Sequence, residues 1–113
     1  MKREIILFRH YFSEFYEPLD IKTKKKVNYI FNIVRELDRI PEQYFKHLEG
    51  TDALYEIRIK LSSNIYRVIC FFDKGNLVVL LNGFVKKTKK TPKNEIELAE
   101  KLKKEYYYEK SKN

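Results

Sequence analysis

The sequence predicts an α+β domain: a twisted antiparallel sheet of about four strands, with N-terminal helices on one face and a short C-terminal helix on the other. Three observations predict it. Residues 54–85 hold three apolar runs, "LYEIRIKL", "IYRVICFF" and "NLVVLLNGFV", separated only by the short polar turns "SSN" and "DKGN", which makes them an antiparallel meander. Between Lys22 and Leu37 the apolar residues Val27, Ile30, Phe31, Val34 and Leu37 recur at intervals of three and four, the stripe of a helix packed on something. After Pro92 the pattern becomes helical again.

Taken in order, "EIILFR" (Glu4 to Arg9) reads as a first strand, and a shorter helix is expected around Phe12 to Leu19 ahead of the main one. "IPEQYFKHLEGTD" reads as a connector with at most one helical turn. In the last helix Thr91 is the expected N-cap and Pro92 the first helical residue, where its missing N–H costs nothing. Glu95, Glu97 and Glu100 precede Lys101, Lys103 and Lys104, an order that suits the helix dipole. No internal repeat or Gly/Ser linker divides the chain, so residues 1–113 form a single domain.

With 113 residues, 43% of them hydrophobic, and only 3 Gly and 3 Pro, the chain is long enough to bury one core. No apolar run reaches the length of a membrane span, and "MKREIILFRHYF" carries charges where a signal peptide has a continuous apolar stretch. A cytoplasmic protein without a membrane partner is expected. Cys70 stands alone within "VICFF", which excludes an internal disulfide and reads as a small core residue. No carboxylate cluster supports a metal site, and no cofactor is expected.

The net charge of +8 is uneven. Residues 1–53 hold 10 Lys and Arg against 9 Asp and Glu, while residues 54–113 hold 14 against 7. Basic charge gathered in one part of a small domain is the footprint of a polyanion, and nucleic acid is favoured over membrane because the basic segments do not share one amphipathic helix. Five of the lysines, Lys86, Lys87, Lys89, Lys90 and Lys93, crowd the end of the last strand and the loop after it.

Register then gathers a site. With Ser62 and Ser63 as the first turn and Lys74 and Gly75 as the second, Arg58 lies opposite Arg67, and Arg67 opposite Asn82. One sheet face carries Tyr55, Ile57, Ile59, Tyr66, Val68, Cys70, Phe72, Leu77, Val79, Leu81 and Val85, a core face for the Val27–Leu37 helix. The other carries Glu56, Arg58, Lys60, Arg67, Asn82, Phe84 and Lys86 at one end. At its other end Ile69, Phe71, Val78 and Leu80 await the C-terminal helix through Ile96, Ala99 and Leu102. Opposed arginines repel by about 0.2 to 1 kcal/mol, and phosphate is the natural group to reward them, since guanidinium forks grip its oxygens in pairs. The plain alternative is a solvated face on which Glu56 neutralises Arg58.

Laid out this way, "LEGTDALYEIRIK" together with "NIYRVICFFDKGNLVVLLNGFVKKTKKTPKNEIELAEKLKKEY" resembles the RelE/ParE superfamily of bacterial toxins, in particular its HigB-like, phage-related branch. The resemblance spans most of the chain. It implies a RelE-like fold and a toxin of a type II toxin–antitoxin system, usually an mRNA interferase that cuts message on the ribosome. It also implies a cognate antitoxin, often with a helix-turn-helix domain. Residue by residue it points to Arg58 and Arg67 as the paired basic groups and to Lys86 and Lys87 as the basic end of the last strand. Glu56 departs from relatives that carry a lysine there, and the C-terminal tyrosine of some relatives has no certain counterpart among Tyr106, Tyr107 and Tyr108.

Metal-free RNA cleavage needs a base for the 2′-hydroxyl, positive charge on the phosphate and an acid for the leaving 5′-oxygen. The catalytic candidates are Glu56 as base with Arg58, Arg67 and Lys86 on the phosphate. A lysine crowded by like charges has a lowered pKa, so Lys86 is also a candidate proton donor. Lys60, Lys87, Lys89, Lys90 and Lys93 are candidate RNA contacts, and Phe84 either stacks on a base or covers the edge of the C-terminal helix. His10 and His47 are adequately explained as surface or packing residues. Two other functions stay open: a ParE-like toxin that acts on DNA gyrase without nuclease chemistry, and an RNA-binding module without catalysis.

Overall fold

A computed structural model of the protein describes residues 2–112. The chain runs β1 (Glu4–Leu7), α1 (Tyr11–Tyr16), α2 (Ile21–Glu36), β2 (Phe45–His47), β3 (Tyr55–Leu61), β4 (Asn64–Asp73), β5 (Leu77–Val85) and α3 (Lys93–Ser111). The sheet order is β1-β5-β4-β3-β2. The α+β class is as the sequence predicts, with five strands rather than about four. The added strand is β2, three residues inside the segment expected to be a connector, which pairs with β3 through Lys46 opposite Glu56. Nor is the sheet wholly antiparallel, because β1 lies parallel to β5 with Ile5 beside Val78.

Two helices cover one face. Asp20 caps α2 by accepting the Thr23 N–H at 2.7 Å. At the far end Arg3 reaches across from the chain start and donates to the carbonyls of Val34, Leu37 and Asp38, satisfying acceptors that the helix leaves without partners. Val27, Ile30 and Val34 are fully buried, each contributing roughly 1.5–3 kcal/mol through the water it loses. They pack on Ile57, Ile59, Val68, Cys70, Val78 and Leu80. Leu37, expected to continue the stripe, lies past the helix and is 42% exposed. α1 presses close to β5: a Cβ on Gly83 would come within 2.5 Å of the Phe15 ring, so the strand needs glycine there.

α3 covers the opposite face through Ile96, Ala99 and Leu102, against Ile69, Phe71, Val79 and Leu81. At 19 residues it is long rather than short. Its N-cap position is Pro92, whose carbonyl accepts the first helical N–H groups, while the expected cap Thr91 turns its hydroxyl elsewhere. The two ends of β5 differ in how they meet the expected register. Ile69 pairs with Asn82 but Cys70 with Leu80, leaving Leu81 as an extra residue in the ladder. The turn before β5 is one residue longer than expected, Lys74 to Asn76, so that Asp73 pairs with Leu77. The extra residue reverses the facing of the first half of β5, with Val78 and Leu80 on the α2 side and Leu77, Val79 and Leu81 on the α3 side, opposite to the expectation, and the bulge then restores it. Turn and bulge together place Arg67 across from Phe84 instead of Asn82. Beyond the bulge, toward Lys86, the predicted facing holds.

Candidate functional site

Arg58 on β3 and Arg67 on β4 are direct cross-strand neighbours. Glu56, two residues before Arg58, shares their face and is 4% exposed. Its Oε1 lies 3.3 Å from Arg67 Nε and 3.6 Å from Arg58 Nε. Both Nε groups are buried yet without a hydrogen bond of good geometry, so the carboxylate holds the guanidiniums by charge while their directional donors stay unused. Such donors are costly to bury unpaired, and two of them beside one another form a ready cradle for an oxyanion.

The other oxygen of Glu56 accepts the Thr91 hydroxyl at 2.8 Å. That contact ties the turn before α3 to the centre of the site. Thr91 is missed as a site residue by sequence reasoning because a threonine before a proline and a helix fits a cap so well. Arg67 is 7% exposed and donates to its neighbour's carbonyl, Tyr66 O, at 3.1 Å. Burial lowers its pKa, and Arg58 lowers it further, against the pull of Glu56. Arg58 is more open, with its side chain 26% exposed.

Lys86 continues the edge of the sheet through a backbone bond from its N–H to Ile65 O. Its ammonium pKa is lowered by burial first, then by Arg67, with Arg58 and Lys46 adding to the effect. A groove of about 440 Å3 brings Lys46, Glu56, Arg58, Lys86, Lys89 and Lys90 together with Thr91. Lys46 comes from β2, the strand that the sequence does not announce, so nothing in the sequence pointed to it. Lys87 and Lys93 are exposed on the same segment without lining this groove. Lys60 lines a neighbouring groove instead. Phe84, 8% exposed, packs among the apolar residues beneath α3, the second of the two places the sequence allowed it.

The tyrosines stand elsewhere. Tyr106 donates its hydroxyl to Asp73 at 2.7 Å, and Asp73 ends β4 while Arg67 lies near its beginning. Burial and that carboxylate push the Tyr106 pKa up to about 12. Six steps along the strand separate the two places, roughly 20 Å. His10 is a surface residue within 3.8 Å of Glu14, and the His47 ring packs edge-on against Tyr55. Cys70 is fully buried, and burial raises its thiol pKa. Among the described residues no group of His, Cys, Asp and Glu could hold a metal ion, and no helix is long and apolar enough to cross a membrane.

The sequence matches the family described as "Phage derived protein Gp49-like (DUF891)" over residues 14–104, a span that includes both arginines, the lysine loop and most of α3. The chain belongs to this Gp49-like family. No curated protein matches it significantly. Among solved structures it is similar to a chain of the archaeal RelE–RelB complex from Pyrococcus horikoshii OT3, with a TM-score of 0.55 and 19% identity over 80% of this chain and 100% of that one. At that identity the likeness carries the fold, and the fold is RelE-like. The superfamily resemblance read from the sequence therefore holds for this Gp49-like protein.

Proposed function

We propose that this Gp49-like protein is the toxin of a type II toxin–antitoxin system and cuts messenger RNA on the ribosome without a metal ion. One observation carries the reading: Arg58 and Arg67, opposed on adjacent strands, converge on one carboxylate oxygen with unused Nε donors beside a lysine loop. A scissile phosphate entering at Arg58, where the lysine groove meets the neighbouring groove that Arg58 and Arg67 both line, takes over both guanidiniums, which then stabilise the charge that grows on its oxygens. Glu56 Oε1 is thereby released from its partners and accepts the proton of the attacking 2′-hydroxyl. As the 2′-oxygen bonds to phosphorus, the bond to the 5′-oxygen breaks and Lys86 donates the proton that oxygen needs. The products are a 2′,3′-cyclic phosphate and a 5′-hydroxyl.

Lys89 and Lys90, with Lys87 and Lys93 outside the groove, hold the RNA backbone and the ribosome. A cognate antitoxin is expected to silence the protein, in keeping with the complex in which the RelE-like neighbour was solved. The test is in vitro translation of a defined message, with primer extension mapping any new 5′ ends. An RNA-binding role without catalysis is favoured by one feature: both oxygens of Glu56 are already engaged. Translation blocked without new 5′ ends would support it.

A further inference from the structure

A second groove of about 330 Å3 opens on the α2 side of the arginine pair, at the end of the sheet. Arg58 lines both this groove and the one that holds the lysine loop, while Arg67 lines this one and not the other. Lys26 of α2 and Lys60 of β3 frame it, Ile65 and the half-buried Tyr44 supply its apolar surface, and Gln43 stands exposed at its rim. Among the described residues neither lysine has a carboxylate partner, and the Gln43 carboxamide has no hydrogen-bond partner; the Lys26 ammonium only overlies the Tyr29 ring.

We propose that this groove is a nucleotide subsite, which receives the unpaired nucleotide next to the phosphate held by Arg58 and Arg67. The inference rests on the RNA-binding part of the proposed function and extends it to a second surface. Its chemistry fits one splayed-out nucleotide. Lys26 and Lys60 neutralise phosphates on either side, the base lies against Tyr44 and Ile65, and the Gln43 amide, which both donates and accepts, reads the base edge. Because Arg58 borders both grooves, a single strand crossing it has its flanking nucleotides in one groove and its backbone on Lys86, Lys89 and Lys90 in the other.

The test needs no cleavage. The intact protein is titrated with a short single-stranded 2′-O-methyl RNA, which lacks the hydroxyl that attacks, and is crosslinked to the same RNA carrying 4-thiouridine. Lys26→Ala with Lys60→Ala is expected to weaken binding and to reduce the salt slope by about 1.4, the equivalent of two phosphates no longer neutralised. Crosslinks are expected at Gln43 or Tyr44, and Gln43→Ala is expected to change base preference while leaving the melting temperature unaltered. Unchanged affinity and slope in the lysine variant, crosslinks confined to residues 86–93, or no binding by the wild-type protein would each overturn the subsite. Since these readouts are independent of strand scission, the nuclease reading fails separately, on the ribosome.

Discussion

Arg58 and Arg67 face each other across β3 and β4, and the Nε atoms of both turn to the same oxygen of Glu56, at 3.6 and 3.3 Å. The repulsion expected of opposed arginines is thus relieved inside the protein by a carboxylate that is itself buried. Glu56 occupies the place that a phosphate oxygen takes in the proposed reaction.

That triad predicts strong coupling. Glu56→Ala leaves two cations facing each other with no counter-charge and should destabilise the domain by about 3–5 kcal/mol, the cost of breaking a buried ion pair. Adding Arg67→Met should recover part of that loss, because the repulsion disappears with one of its members. Urea denaturation of the wild type, both single variants and the double variant measures it. A double variant whose loss equals the sum of the single losses would show that Glu56 does not hold the arginines.

The sequence disclosed this triad only in part. Ile57 and Ile59, alternating with Glu56, Arg58 and Lys60, set the facing of β3, and the two-residue turn at Ser62 and Ser63 placed Arg58 against Arg67. What it could not disclose was the third residue of the Lys74–Asn76 turn and the bulge at Leu81 that offsets it, because every residue from Leu77 to Leu81 is apolar and suits either buried face. β2 was hidden for a related reason. Three residues carry too little periodicity to signal a strand, so Phe45, Lys46 and His47 stayed out of view as one. Thr91 stands out in the sequence only as a helix cap, since local sequence cannot show a carboxylate 35 positions away.

The lysine loop should act through counterions. Replacing Lys86, Lys87, Lys89 and Lys90 with alanine is expected to weaken binding to programmed ribosomes and to flatten its dependence on salt, by as much as about 0.7 in slope for each phosphate left without its lysine. Filter binding across a salt series gives the slope. A slope equal to that of the wild type would mean that these lysines are merely solvated.

Acid stability should depend on the far end of the sheet. Asp73 accepts from Lys110 Nζ at 2.6 Å and from Tyr106 at 2.7 Å, which lower its pKa from 3.8 to about 2. A carboxyl depressed in the folded state contributes stability above its unfolded pKa and loses it as pH falls through the folded value. The window is therefore from about pH 4 down to about pH 2. The contribution is on the order of 1–2 kcal/mol, because lowering a pKa by one is equivalent to about 1.4 kcal/mol and the half-exposed Lys110 is partly screened by water. Thermal melts of Asp73→Asn over this range should show a shallower acid decline than the wild type. Parallel declines would remove Asp73 from the account.

The central claim is that the arginine pair performs chemistry on a phosphate, and single-turnover cleavage of message on programmed ribosomes tests it most directly. Arg58→Ala is the variant of choice, because Arg58 is the more exposed partner and its removal leaves Glu56 paired with Arg67. We expect the rate to fall roughly a hundred- to a thousand-fold, the scale of removing one donor to the transition state, with ribosome affinity little changed and new 5′ ends absent from the primer-extension map. Cleavage by Arg58→Ala at the wild-type rate, or a wild-type protein that blocks translation without cutting the message, would contradict the account.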